Sequence, residues 1–87
     1  MTGKEFKAIR LHNRIKDHQF AKLFNKSKNF VYEMQNMEFV PEVAIYELGK
    51  LINRDLQNED VLKNVLQKIP EKYLNKKKVV RIKIRYF

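Results

Sequence analysis

The chain contains no cysteine, only two glycines (Gly3 and Gly49) and a single serine, Ser27. Without cysteine there is neither a disulfide framework nor a thiolate metal site. Two isolated glycines cannot build a loop that cradles phosphate. Histidine is as scarce: His12 and His18 stand six residues apart, a spacing that does not place two imidazoles on one helical face. No apolar run approaches the roughly 20 residues that cross a bilayer. The start, MTGKEFKAIR, carries no apolar h-region, and long repeats and low-complexity tracts are lacking. These absences argue against an enzyme, a metal or cofactor site and a membrane segment, and they set the expectation of a cytoplasmic protein.

What is present is charge of one sign, unevenly distributed. At 87 residues the chain suits one domain with a short appendage. A core of that size is modest, so a partner chain would add stability. The formal charge is +9. Residues 1–36 hold 8 Lys/Arg against 3 Asp/Glu, residues 37–75 hold 5 against 7, and residues 76–87 hold 6 against none. A basic first part, a mildly acidic middle and a basic tail suit an anionic partner gripped at two places. DNA, RNA and an acidic membrane surface all fit, and a solvated basic surface is the plain alternative.

Helical signals follow one another along residues 1–70. Thr2 and Glu5 match a capping box in front of a helix over about 3–14, with Phe6, Ile9 and Ile15 on its apolar side. DHQFAKLF predicts a short helix over about 17–24. Asp17 stands at its N-cap or first turn, where a carboxylate favours the helix dipole, and Phe20, Ala21, Leu23 and Phe24 form its buried side. Asn25 suits a left-handed helix end. Ser27 is placed to cap a third helix over about 28–36. Pro41 suits the first position of a fourth, where Ala44, Leu48, Leu51 and Ile52 recur at helical spacing. Gly49 costs that helix propensity and points to close packing. Asn58 is a cap candidate for a fifth helix over about 59–69, with Val61, Leu62, Val65, Leu66 and Ile69 inward, and Pro70 ends it. After Lys76–Lys78 the period becomes two. Val80, Ile82, Ile84 and Tyr86 alternate with Arg81, Lys83 and Arg85, as in a strand with one apolar and one basic face.

The third helix carries the most informative pattern. At about 100° per residue, Phe30, Val31 and Met34 fall within roughly 100°, the width of a core-facing stripe. Lys28, Asn29, Tyr32, Glu33 and Asn36 fall within roughly 140° on the other side. These groups match the donors and acceptors of a DNA major groove. Lys28 can donate to guanine O6 or N7, Asn29 can pair with adenine, and Glu33 can accept from cytosine N4. Tyr32 can pack on a thymine methyl or bond a phosphate. A polar helix face is otherwise simply solvated.

The frame around that face, DHQFAKLFNKSKNFVYEMQN (residues 17–36), resembles the helix-turn-helix of phage Cro and repressor proteins, the XRE-type family. The family's pattern wants apolar residues where Phe20, Phe24, Val31 and Met34 stand, a small residue at Ala21 and a turn residue at Asn25. FVPEVAIYELGKLI looks like the family's proline-led fourth helix, so the resemblance covers about residues 5–53. It implies a mainly α fold with a five-helix repressor-like domain over 1–70, to which the alternating pattern adds a basic C-terminal segment over 71–87 carrying the strand. It also implies sequence-specific binding of double-stranded DNA by a dimeric transcriptional repressor that reads an inverted repeat. Lys28, Asn29, Tyr32 and Glu33 match its base-reading positions. Ser27 matches a phosphate- or base-contacting position and Asn36 a backbone-contacting one. Arg10 and Gln35 match a pair that in some members is a buried ion pair, here a hydrogen bond.

Departures from the pattern shift other expectations. Asp17 stands where many members carry a phosphate-binding Gln, and a carboxylate there repels phosphate; His18 or Gln19 is the substitute. Asn25 and Met37 stand where glycine is common. The loop NMEFVPE lacks basic residues, leaving Lys16, Lys22, Lys26 or the tail to hold the DNA backbone. Glu38, Glu42 and Glu47 read as a solvated face. The tail has two readings: a dimerisation strand using Val80, Ile82, Ile84 and Tyr86, which is favoured, or a basic arm along phosphates. A protein-interaction module using Tyr32, Met37 and Phe39, or an antitoxin that holds a protein partner through its tail, are the rival functions. RNA binding is weaker, since no aromatic stacking sheet is evident.

Overall fold

The computed structural model describes residues 1–74, and over them the protein is mainly helical. Six helices follow in order: α1 (Gly3–His12), α2 (Asp17–Lys22), α3 (Lys28–Gln35), α4 (Glu42–Ile52), α5 (Glu59–Gln67) and α6 (Glu71–Leu74). The strand expected over 79–87, and with it Val80, Ile82, Ile84 and Tyr86, lies outside the described residues. Five of the helices stand where the sequence places them. The sixth is a single turn after Pro70, too short to show a period.

The caps follow from local chemistry. Before α1, Thr2 N–H donates to Glu5 Oε1 at 2.9 Å and Glu5 N–H donates to Thr2 Oγ1 at 3.2 Å, so the capping box is closed. Asn58 Oδ1 accepts from the N–H groups of Asp60 (2.9 Å) and Val61 (3.3 Å) at the start of α5. Ser27 holds the cap position of α3, but its hydroxyl makes no capping bond. Pro41 precedes α4 as its cap residue rather than as its first helical residue; its carbonyl accepts from Ala44 and Ile45.

Three helices close by the same device. Arg14, Asn25 and Asn53 have φ of 60°, 58° and 60°, the left-handed region usually left to glycine. Around each, the following residue's N–H reaches back five residues: Ile15 to Arg10 O (2.9 Å), Lys26 to Ala21 O (3.1 Å) and Arg54 to Gly49 O (2.9 Å). These are Schellman closures. The first ends α1 earlier than the expected residue 14.

The core gathers Phe6, Ala8, Ile9, Phe20, Ala21, Val31, Met34, Val40, Ala44, Ile45, Leu48, Leu56, Val65 and Ile69. Phe6 and Phe20 meet edge to face at 5.1 Å, and Phe24 links Phe20 (5.5 Å) to Phe30 (5.1 Å), a favoured aromatic geometry. Two apolar expectations fail. Leu23 is 50% exposed and Leu51 48% exposed. Each lies roughly 90–110° from the centre of its helix's buried stripe, at the edge where neighbours no longer cover it.

Both glycines are sites of close approach. A Cβ on Gly49 would meet Arg54 O at 2.5 Å, in the turn that closes α4. A Cβ on Gly3 would collide with the last carbonyls of α3, Met34 O at 2.6 Å among them. The chain is stitched there: Gly3 N–H donates to Met37 O and Val40 N–H to Met1 O, both at 2.9 Å. At the other end of α1, α6 packs alongside and the Tyr73 ring meets His12 at 5.7 Å.

Candidate nucleic-acid interface

Helices α2 and α3 are joined by the Asn25 turn and cross closely. Ala21 is what permits this: it is 1% exposed, and a longer side chain would wedge the helices apart. Val31 and Met34 are buried beneath them and Phe30 is half-buried, so the inner stripe of α3 lies as the pattern requires. A second tie is Arg10, almost wholly buried. Its guanidinium donates to Ile15 O at 2.8 Å and to Gln35 Oε1, joining α1 to α3. Burial lowers the pKa of this guanidinium, with Asp17 acting in the opposite sense.

The outer arc of α3 is open. Lys28, Asn29, Tyr32, Glu33 and Asn36 are all exposed, as are Ser27 and Lys26 before it and His18, Gln19 and Lys22 on α2. The ten residues expected to contact DNA are therefore all solvent-exposed, on α2, the turn, α3 and the residue that ends it. Their readiness differs. The side chains of Lys28, Asn29 and Glu33 make no hydrogen bond or ion pair with other described residues. Asn36 Nδ2 donates to Tyr32 O at 3.1 Å, closing its own helix. Gln19 Oε1 accepts from Lys16 N–H at 2.9 Å at the start of α2, which leaves its amide N–H groups outward.

Tyr32 and Asp17 form a link that sequence spacing does not signal, since they are 15 residues apart. The phenol donates to Asp17 Oδ2 at 2.7 Å. Asp17 Oδ1 accepts from His18 N–H at 2.7 Å, and the His18 ring stands 3.7 Å away. The Tyr32 hydrogen bond holds the Asp17 carboxyl below the usual carboxylate range, helped by His18 N–H, Arg10 and Lys28 against desolvation. The same bond raises the Tyr32 phenol. Tyr32 is thus part exposed while its proton is committed to α2. Asp17, the one carboxylate amid Lys16, Lys22, Lys26 and Lys28, is engaged rather than bare toward an incoming phosphate.

Large apolar residues are also left outside, Met37 and Phe39 among them as the sequence suggested, and Val43 and Tyr46, which it did not single out. Phe39 is 72% exposed and Met37 41%, both in the α3–α4 loop, with Val43 at 57% and Tyr46 at 52% on α4. Their exposure depends on which side of α4 the core occupies, which the helical period alone leaves open at its margins. Among the described residues no group of three His, Asp or Glu could hold a metal ion, and no helix is long and apolar enough to cross a membrane. In comparisons with known proteins, no family model, curated protein or solved structure matches the chain.

Proposed function

We propose that the protein is a sequence-specific DNA-binding transcriptional regulator. In this reading α2 and α3 act as a helix-turn-helix of Cro/repressor type, and a dimer reads an inverted repeat in the major groove. One observation carries it: α3 is anchored by Val31 and Met34 while Lys28, Asn29 and Glu33 project unpaired from its opposite side. Unpaired amide, ammonium and carboxylate groups on a rigid helix suit base edges, and an α-helix fits the major groove. Lysines 16, 22 and 26 supply phosphate contacts at the margins, which position without specifying. His18, Gln19, Ser27 and Asn36 complete the backbone grip, and Tyr32 presents its ring to a thymine methyl.

The test is selection of bound duplexes from a randomised pool at near-physiological salt. Enrichment of an inverted repeat, with half-sites about one helical turn apart, supports the reading. Recovery of the starting pool's composition overturns it.

A second reading has its own observation. Tyr32, Met37 and Phe39 are 40%, 41% and 72% exposed, and exposed apolar groups mark protein contacts. A protein-interaction module would use them; a pull-down that survives high salt and fails for Phe39→Ser supports this alternative.

A further inference from the structure

The bond between Tyr32 and Asp17 has a direction. A phenol owns one proton and can also accept. The Tyr32 hydroxyl donates its proton to Asp17 Oδ2 at 2.7 Å, at the solvent-exposed surface, a length typical of an O–H donor on a carboxylate. The proton belongs to the phenol. Asp17 titrates below its ordinary range, chiefly because of this bond, and Tyr32 above its own for the same reason. At neutral pH Asp17 is therefore ionised and can only accept. Its other oxygen already accepts from His18 N–H at 2.7 Å. Tyr32 keeps an oxygen that accepts and has no proton left to give. Donating also polarises the hydroxyl, which makes its oxygen a better acceptor.

We infer that Asp17 determines specificity through Tyr32: it fixes the hydroxyl as an acceptor, so that Tyr32 selects an exocyclic amino group, that of adenine or cytosine, in the major groove. This role rests on α3 reading DNA, the function proposed above. A phosphate offers only acceptors, so Tyr32 has nothing to give it. In the major groove, adenine and cytosine carry an amino donor where guanine and thymine carry a carbonyl acceptor. An acceptor-only hydroxyl bonds the first two, and against the others it sets lone pair facing lone pair. An A·T pair adds the thymine methyl beside the amino group, so one pair can engage both the hydroxyl and the ring of Tyr32. Glu33, the next residue, is an acceptor as well. Lys28 and Asn29, one turn earlier, carry N–H donors. α3 thus presents donors at its start and acceptors one turn on, which gives the half-site a polarity. Without Asp17 the hydroxyl is free to rotate and serves either class of base.

The experiment runs duplex selection from a randomised pool in parallel on the full chain, Tyr32→Phe, Asp17→Ala and the double variant. Tyr32→Phe locates the position, because the base facing residue 32 loses its preference there. At that position the parent should favour adenine and cytosine over guanine and thymine by about fivefold, and Asp17→Ala should bring the two classes within about twofold. In the Tyr32→Phe background Asp17→Ala should change nothing at this position, which separates an action through the hydroxyl from a structural one. Asp17→Ala also removes a charge that repels phosphate, but that raises affinity for every sequence alike.

A parent preference for guanine or thymine at that position overturns the inference. So does a profile that Tyr32→Phe or Asp17→Ala leaves intact, or one that Asp17→Ala alters equally without the hydroxyl. A parent that enriches no sequence removes the DNA-reading function and this role with it, whereas an enriched parent with an unresponsive Asp17→Ala profile removes this role alone. A second measurement needs no substitution at Asp17. An operator lacking the amino group (purine for adenine, pyrimidin-2-one for cytosine) should weaken binding of the parent about fivefold beyond any loss on Tyr32→Phe. Equal losses on the two proteins overturn the inference.

Discussion

Tyr32 shows how one side chain can belong to two elements. Its hydroxyl ties α3 to the first turn of α2 through Asp17, and the pH dependence follows from the shifts. Asp17 titrates below its ordinary range, so its contribution to stability is present above the unfolded carboxyl pKa and lost as pH falls through the lowered one. Tyr32 titrates above its ordinary range, so its contribution holds below the unfolded phenol pKa and disappears as pH rises through the raised one. The link is thus intact across the neutral range and fails at both extremes. Tyr32→Phe should return the Asp17 carboxyl toward its ordinary pKa, read by carbon-detected NMR titration; an unmoved midpoint would show that the bond does not form in solution. At the base-reading positions, Lys28→Ala and Glu33→Ala should each relax preference at individual base pairs by about 1–3 kcal/mol. Competition binding against single-base operator variants measures this, and an unchanged profile would remove α3 from base recognition. Arg14 carries strain instead of contact. A non-glycine residue in the left-handed region costs about 1–2 kcal/mol, so Arg14→Gly should stabilise the fold by about 1 kcal/mol in urea titration, the freer unfolded chain offsetting part of the gain.

At the scale of elements, the position of α3 is set from three sides. Arg10 holds its C-terminal half through Gln35, the Asn25 turn and buried Ala21 hold its start to α2, and the carbonyls of Met34 and Gln35 rest on Gly3. The last contact is backbone against backbone and has no side chain that can yield. Gly3→Ala should therefore cost about 1–3 kcal/mol despite alanine's better helix propensity, measured by chemical denaturation. It should also weaken DNA binding, because α1 can accommodate the methyl only by displacing α3. Much of this was legible from residue chemistry: the Thr2–Glu5 box, the turn at Asn25, the cap at Asn58 and the close approach at Gly49 each rest on interactions within a few positions. Gly3 was not legible, since its reason lies more than thirty residues away in α3. Nor were the left-handed turns at Arg14 and Asn53, where a residue without a turn signature, or an Asn at a helix end among several polar residues, adopts the conformation that packing of the next segment demands.

Across the whole molecule, charge is segregated rather than merely abundant. The basic side chains of α2, its turn and the start of α3 lie together, and the acids gather around α4 and the start of α5. A DNA complex using several phosphate contacts should weaken on the order of a thousandfold between about 50 and 200 mM salt. Fluorescence anisotropy with a selected duplex checks this. A nearly flat response would instead favour an apolar contact through the exposed loop residues Met37 and Phe39.

Local order in this chain was readable because it depends on neighbours in sequence: periodicity assigns the helices, caps and turns bound them, and the inner and outer sides of α3 follow from a regular 3.6-residue repeat. The exposure of the ten polar residues was legible for the same reason, since eight of them lie from Lys22 to Asn36 within one helical pair and its turn. What depended on folding in three dimensions was everything set by residues distant along the chain: the Tyr32–Asp17 link, the seat of α3 on Gly3, the outward turn of Leu23 and Leu51, and the exposure of Val43 and Tyr46 on α4. A side chain's burial is decided by which other segment arrives against it, and no local pattern carries that information.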